Sequence, residues 1–144
     1  MREIRTETVI DAEPAEVWEK LTDLDSWSQW NPFITEASGL PEEGEKLNMR
    51  FRPPGGMSMR MKPKVIRSQT ARELRWLGHL GVPGIFDGEH YFQLQPGPDG
   101  GTRLVQGEKF TGFTVPLFGG VLRKSEKGFE MLNQALKDEC ESQG

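Results

Sequence analysis

The chain is poor in the residues that build cross-links and metal cages. Its 144 residues include one cysteine, Cys140, and two histidines, His79 and His90. A lone cysteine excludes an intrachain disulfide and any multi-cysteine metal site. Cys140 stands in the charged stretch DECESQ with no histidine beside it, so nothing marks it as a reactive thiol. The two histidines fall on separate predicted strands with opposite phase, which argues against a metal site using both. No metal and no cofactor is expected. Positive charge is scarce as well: 18 Lys and Arg face 22 Asp and Glu, a net charge of −4. That argues against a nucleic-acid binder relying on a broad basic surface. No apolar run reaches membrane-spanning length, and residues 1–20 lack a signal-peptide core, so a cytoplasmic chain with no integral membrane association is expected. The sequence also lacks GxSxG, HExxH and a Walker loop, and with them the usual signatures of serine hydrolases, zinc proteases and nucleotide hydrolases.

What is present is pattern. Only 35% of the residues are hydrophobic, but they come in blocks, and the 17 glycines and 10 prolines cluster between those blocks. With no internal repeat and no long linker, residues 1–144 read as one domain with one core. Ile4 to Asp11 reads as a strand rich in β-branched residues. DAEPAEVWEKLTD then reads as a helix, with Pro14 in its first turn, acidic Glu13 and Glu16 at its positive end, and Val17, Trp18 and Leu21 on one face. A second short helix spans Ser26 to Trp30 and ends at Asn31-Pro32, because the residue before proline is pushed out of helical geometry.

From Phe33 the period becomes two. Leu47, Met49 and Phe51 share one face; Met57, Met59, Met61 and Val65 share another; Leu74 and Trp76 are in phase on a third strand. Arg50, Arg52, Arg60, Lys62 and Lys64 fall on the wet side, either a solvated face or a surface for an acidic partner or anionic lipid. Two further strands flank the turn PGPDGG. After Pro116 the period returns to that of a helix: Phe118, Leu122, Ser125, Phe129, Leu132 and Leu136 form one stripe. An antiparallel sheet with one apolar face needs a cover, and this last helix is the only element long enough.

The two strands around PGPDGG carry the sharpest expectation. A hairpin centred near Asp99 pairs Leu94 with Leu104, Phe92 with Gln106 and His90 with Glu108. If the phenylalanines and leucines face inward, His90, Gln106 and Glu108 go inward with them. Burying an unpaired polar group costs on the order of 1–3 kcal/mol. These three groups must therefore meet one another, water or a ligand. They are either a self-satisfied core cluster or the polar end of a cavity. Tyr91 points the other way. Met49, Met57, Met59 and Met61 read equally as flexible lining for apolar guests or as gap-filling core. Gly128, next to Phe129 in mid-helix, marks a close backbone approach or a bend. The loops PPGG (53–56) and GVPG (81–84) read as mobile lips of a cavity or as plain turns.

This order of elements, with the motifs VIDAEPAEVWEKLTDLDSWSQWNPF, GTRLVQGEKFTG and GFEMLNQALK, resembles the START-like superfamily, also called SRPBCC or Bet v 1-like. It resembles in particular the bacterial polyketide cyclase/dehydrase and lipid-transport branch, over essentially the whole chain. The resemblance implies an α+β helix-grip fold: a curved antiparallel sheet of about seven strands around a long C-terminal helix, with two short helices after strand 1. It also implies a cavity between sheet and helix. Residues expected to line it are Met49, Phe51, Met59, Met61 and Trp76, then His90, Phe92, Gln106, Glu108 and Phe110, then Phe118, Leu122, Ser125 and Phe129 from the helix. Trp18 is expected to anchor the first helix. Trp27 and Trp30 are expected near the cavity mouth, or as plain core. Three functions follow. The first is binding of an apolar small molecule that is lipid-, polyketide- or aromatic-like. The second is a cyclase or dehydratase using His90 and Glu108 as acid and base. The third is a protein-interaction module in chaperone assistance or stress response. Monomer and dimer both stay open.

Overall fold

The computed structural model describes residues 1–142. The chain runs β1 (Arg2–Ile10), α1 (Pro14–Thr22), a single 3-10 turn, α2 (Trp27–Trp30), β2 (Ile34–Ser38), β3 (Asn48–Phe51), β4 (Met59–Met61), β5 (Lys64–Gln69), β6 (Glu73–His79), β7 (Asp87–Pro96), β8 (Thr102–Thr111) and α3 (Gly119–Glu141). It is an α+β fold in which α3 lies across an open antiparallel sheet, as the sequence pattern predicts. Among the described residues the strands number eight, in two ladders ordered β1-β8-β7-β6-β5 and β2-β3-β4. Residues 44–47 join the ladders through backbone bonds to Pro63 and Val65.

The division has a local cause. MSMRMKPKV is not one strand. Pro63 has no N–H for a ladder and separates β4 from β5. Met57 lies before β4 begins, so the alternation does not reach it, and it is exposed instead of inward. The bend from α2 into β2 is also local: the Asn31 carboxamide oxygen accepts the N–H of Phe33 at 3.0 Å and of Ile34 at 2.9 Å. Such an Asx turn lets the chain leave the helix without stranding backbone donors.

Leu122, Phe129, Leu132 and Leu136 of α3 are buried, as the stripe predicts. Gly128 marks a close approach. A methyl group there would collide with the Phe33 ring, so glycine is what lets helix and ring meet. At the far end of α3, Cys140 is buried, and burial pushes its thiol up to about 11, which removes the thiolate needed for reactivity.

Candidate functional site

The hairpin register is the one the Asp99-centred turn predicts: Leu94 with Leu104, Phe92 with Gln106, His90 with Glu108. Adding β6 and β1 gives three inward rows across the sheet. The first is Leu74, Phe92, Gln106 and Thr6. The second is Trp76, His90, Glu108 and Ile4. The third is Gly78, Gly88, Phe110 and Arg2.

The first two rows are filled. Trp76 stacks on His90 at 4.8 Å between ring centroids, and Phe129 meets the same imidazole edge-on at 4.8 Å. Trp27 packs against Trp76 and Phe92, each at 6.4 Å, with Trp30 at 6.0 Å. Trp27 is therefore fully buried at the closed end of the grip, not at a mouth, and Trp30 packs half-buried against it. Trp18 packs half-buried against the core from α1.

The third row has no side chains at two of its positions. Over the facing Gly78 and Gly88 lies a partly open cavity of about 150 Å³. Its wall is aromatic and aliphatic: Phe51, Met59, Met61, Trp76, Phe110 and Phe118 line it, and Ser125 faces it from α3. One charged group joins them, the carboxyl of Glu108. Of the residues expected at the cavity, those seven and Glu108 reach it. Met49, His90, Phe92, Gln106, Leu122 and Phe129, with Trp27 and Trp30, stand behind it in the core. Phe33, Pro53, Pro63, Leu80, Phe86 and Val121 line it unannounced. Pro53 belongs to one of the two loops that read as lips, and Leu80 immediately precedes the other.

The polar groups do meet one another. Glu108 Oε1 lies 3.3 Å from His90 Nδ1, and His90 Nε2 lies 2.9 Å from Gln106 Oε1. Gln106 Nε2 donates to the Phe129 carbonyl at 3.1 Å and to Asn133 Oδ1 at 2.7 Å. Asn133 Nδ2 donates to Thr6 Oγ1 at 2.8 Å, and the Thr6 hydroxyl donates to the Gln106 carbonyl at 2.8 Å. One chain of bonds thus runs from the cavity wall through the core to α3 and β1. Only its first member, Glu108, touches the cavity. Sequence reasoning found the β7 and β8 members of this chain, His90, Gln106 and Glu108, and missed Thr6 of β1 and Asn133 of α3.

The lip loop is tied at its base. Asp87 Oδ1 lies 2.7 Å from His79 Nδ1, and Asp87 Oδ2 accepts the Gly84 N–H at 3.0 Å. The His79 contact, more than the Gly84 bond, holds the Asp87 carboxyl below its ordinary range. On the wet face, Glu36 takes both Arg60 and Arg50, at 2.7 and 3.3 Å, so two members of the basic row are already partnered. Tyr91 faces outward, as expected, and donates to Glu3 at 2.6 Å. Among the described residues no cluster of His, Cys, Asp and Glu is arranged to hold a metal ion, and no helix is long and apolar enough to cross a membrane.

Comparison with known proteins agrees with this architecture. The family model described as polyketide cyclase / dehydrase and lipid transport matches residues 1–141. No curated protein matches the chain. Among solved structures, a START superfamily protein from Mycobacterium smegmatis is similar at 18% identity, with 99% of each chain covered and a TM-score of 0.78. A protein from Thermus thermophilus is similar at 21% identity, 99% of each chain and a TM-score of 0.77. Ara h 8.0201 is similar at 15% identity, 98% of each chain and a TM-score of 0.73. At these identities the likeness shows the fold.

Proposed function

The chain belongs to the polyketide cyclase/dehydrase and lipid-transport family, and from that premise we propose that it binds an apolar small molecule, lipid-, polyketide- or aromatic-like, between sheet and α3. One observation carries the reading: the cavity over Gly78 and Gly88 is open, apolar and marked by a single carboxyl. Ligand sites are typically mostly apolar concavities with a few placed polar groups. A dry cavity of this size lined by apolar side chains is enough for a benzene-sized guest, and the opening admits a longer one.

The test is native mass spectrometry of freshly purified protein, with solvent extraction of whatever is bound. A co-purifying apolar molecule is the expected result. Ser125→Trp should fill the cavity from α3 and lower affinity for that molecule at least about tenfold, at little cost in melting temperature. Unchanged affinity in a folded Ser125→Trp protein would place the binding elsewhere.

A second reading, a cyclase- or dehydratase-type enzyme, is favoured by the contact between Glu108 and His90 at the wall. In that reading Glu108 alone reaches a substrate, and His90 acts through it as a positioning residue. Such chemistry needs only one or two placed titratable groups in a dry pocket. Turnover lost in Glu108→Gln while affinity survives would separate it from plain binding. The protein-interaction reading rests on fold likeness alone.

A further inference from the structure

The hydrogen-bond chain behind the cavity has a direction, and the direction fixes what the cavity wall offers a guest. It starts from an atom that cannot be reassigned. The Phe129 carbonyl is backbone and can only accept. The Gln106 group 3.1 Å from it must therefore be the amide nitrogen. That places Gln106 Oε1 against His90, so His90 Nε2 carries a hydrogen and donates it at 2.9 Å. The neighbouring bonds agree, since the same Gln106 nitrogen spends its second hydrogen on Asn133 Oδ1.

With Nε2 committed inward, His90 meets Glu108 through Nδ1 alone. A hydrogen bond across that 3.3 Å gap needs one proton between Nδ1 and Oε1. If the proton is on nitrogen, His90 is a buried imidazolium, and Glu108 is the carboxylate that keeps that charge from being buried unpaired. If it is on Oε1, Glu108 is an acid whose hydroxyl donates to His90. In both cases the second oxygen, Oε2, has no hydrogen and can only accept.

Oε2 is also the oxygen aimed at the cavity. It occupies the space into which a side chain at Gly88 would project, and any methyl group there would overlap it. Gly88 lines the cavity floor. Among the described residues no donor reaches Oε2. The other polar side-chain groups among the lining residues are the Ser125 hydroxyl and the Trp76 indole N–H.

We infer that the cavity selects apolar molecules carrying a neutral hydrogen-bond donor, such as a phenol, alcohol or N–H group, and discriminates against those whose buried polar end is an anion. This rests on the binding reading above and narrows it. A guest with a hydroxyl satisfies Oε2. A guest whose hydroxyl is methylated buries Oε2 unpaired. A carboxylate or phosphate sets acceptor against acceptor in a site of low dielectric. A site built to bond a donor rejects the analogue that lacks one more strongly than an apolar pocket rejects a change of size.

The experiment uses the unmodified chain at pH 7 and four probes of one shape: naphthalene, 2-naphthol, 2-methoxynaphthalene and 2-naphthoate. Dissociation constants come from quenching of tryptophan fluorescence, since Trp76 lines the cavity, with calorimetry as a check. We expect 2-naphthol to bind tightest, at least about fivefold tighter than 2-methoxynaphthalene, the least that leaving a buried acceptor unpaired costs. We expect 2-naphthoate to bind at least tenfold more weakly than 2-naphthol. In Glu108→Leu the naphthol and its methyl ether should converge. Equal binding of naphthol and ether to the unmodified chain, or naphthoate as tight as naphthol, overturns the donor rule while naphthalene binding keeps the cavity reading. If none of the four binds, the cavity reading falls and the donor rule with it. The ligand series needs no variant to fold, so its outcome holds whatever Glu108→Leu does.

Discussion

Two ends of one inward sheet face differ by what the same strands carry one row apart. At the closed end, β6 and β7 present Trp76 and His90, stacked on each other and capped by Phe129 and Trp27. Two residues along each strand they present Gly78 and Gly88, and the space stays empty. Leu80 in the cavity wall is exposed, as are Val82, Phe113 and Leu117 in the segments that neighbour Leu80 and Phe118 in the chain, whereas the closed end exposes none of its rings fully. The difference teaches how this domain makes room for a cavity. It leaves out two facing side chains, next to a row packed tightly enough to hold the helix in place. Stability belongs to one end and ligand space to the other, so substitutions at the two ends should separate into different measurements.

The largest effect is expected at the closed end. Phe129 fills the space between His90 and Phe33, with ring centroids 4.8 and 5.5 Å away. Phe129→Ala removes that ring from a site with no solvent access and leaves a cavity that its stacked neighbours cannot collapse. The cost should be about 3–5 kcal/mol in urea unfolding. A loss below about 1 kcal/mol would mean that the closed end is as loosely packed as the open one, and the comparison would fail.

Only part of this was legible in the sequence, for reasons that differ from residue to residue. The pairing of His90 with Glu108 was readable because a turn centre and a period of two fix it, and the turn obliges: Asp99 takes a left-handed conformation, and Gly97 bonds to Gly101 around it. The α3 stripe was readable for the same kind of reason. The cavity floor was not. A glycine adds nothing to a hydropathy pattern, and Gly78 and Gly88 matter only once their register places them opposite each other. Asn133 was hidden because it lies one residue beyond Leu132, off the apolar stripe, and its partner Thr6 is 127 positions away. Met57 misled because alternation was continued through a loop where no ladder enforces it. Trp27 stayed open between rim and core, because an amphipathic aromatic suits either and its position depends on where α2 lands on the sheet.

A smaller effect is expected on the glycine row, and it is of the opposite kind. A methyl group at Gly78 would come within 2.8 Å of the end of Met61, a flexible side chain that can move aside. Alanine also limits the unfolded chain more than glycine does, which is worth roughly 0.5–1 kcal/mol in a strand. Gly78→Ala should therefore change stability by less than about 1 kcal/mol while taking volume from the cavity floor and weakening apolar ligands severalfold. Paired unfolding and binding curves would show it. A variant that loses stability and keeps affinity would make Gly78 a packing residue and break the division between the ends.

The smallest effect concerns the lip. Asp87 ties His79 and the Gly84 N–H together at the base of the loop that carries Leu80 and Phe86 to the cavity. Its carboxyl is held below the ordinary range, chiefly by His79. A lowered folded value means that the carboxylate favours the folded loop. That contribution is complete above the unfolded aspartate value, roughly pH 4, and is lost as pH falls through the lower folded value. The group is close to solvent, so the effect is confined to the loop. The Gly84 amide should lose hydrogen-exchange protection, measured against an unstructured peptide at the same pH, as pH falls below about 4, while amides of β7 and β8 keep theirs. Asp87→Asn should show the reduced protection already at pH 5. If Gly84 and the β8 amides lose protection together, acid acts on the whole domain and the open end has no separate stability of its own.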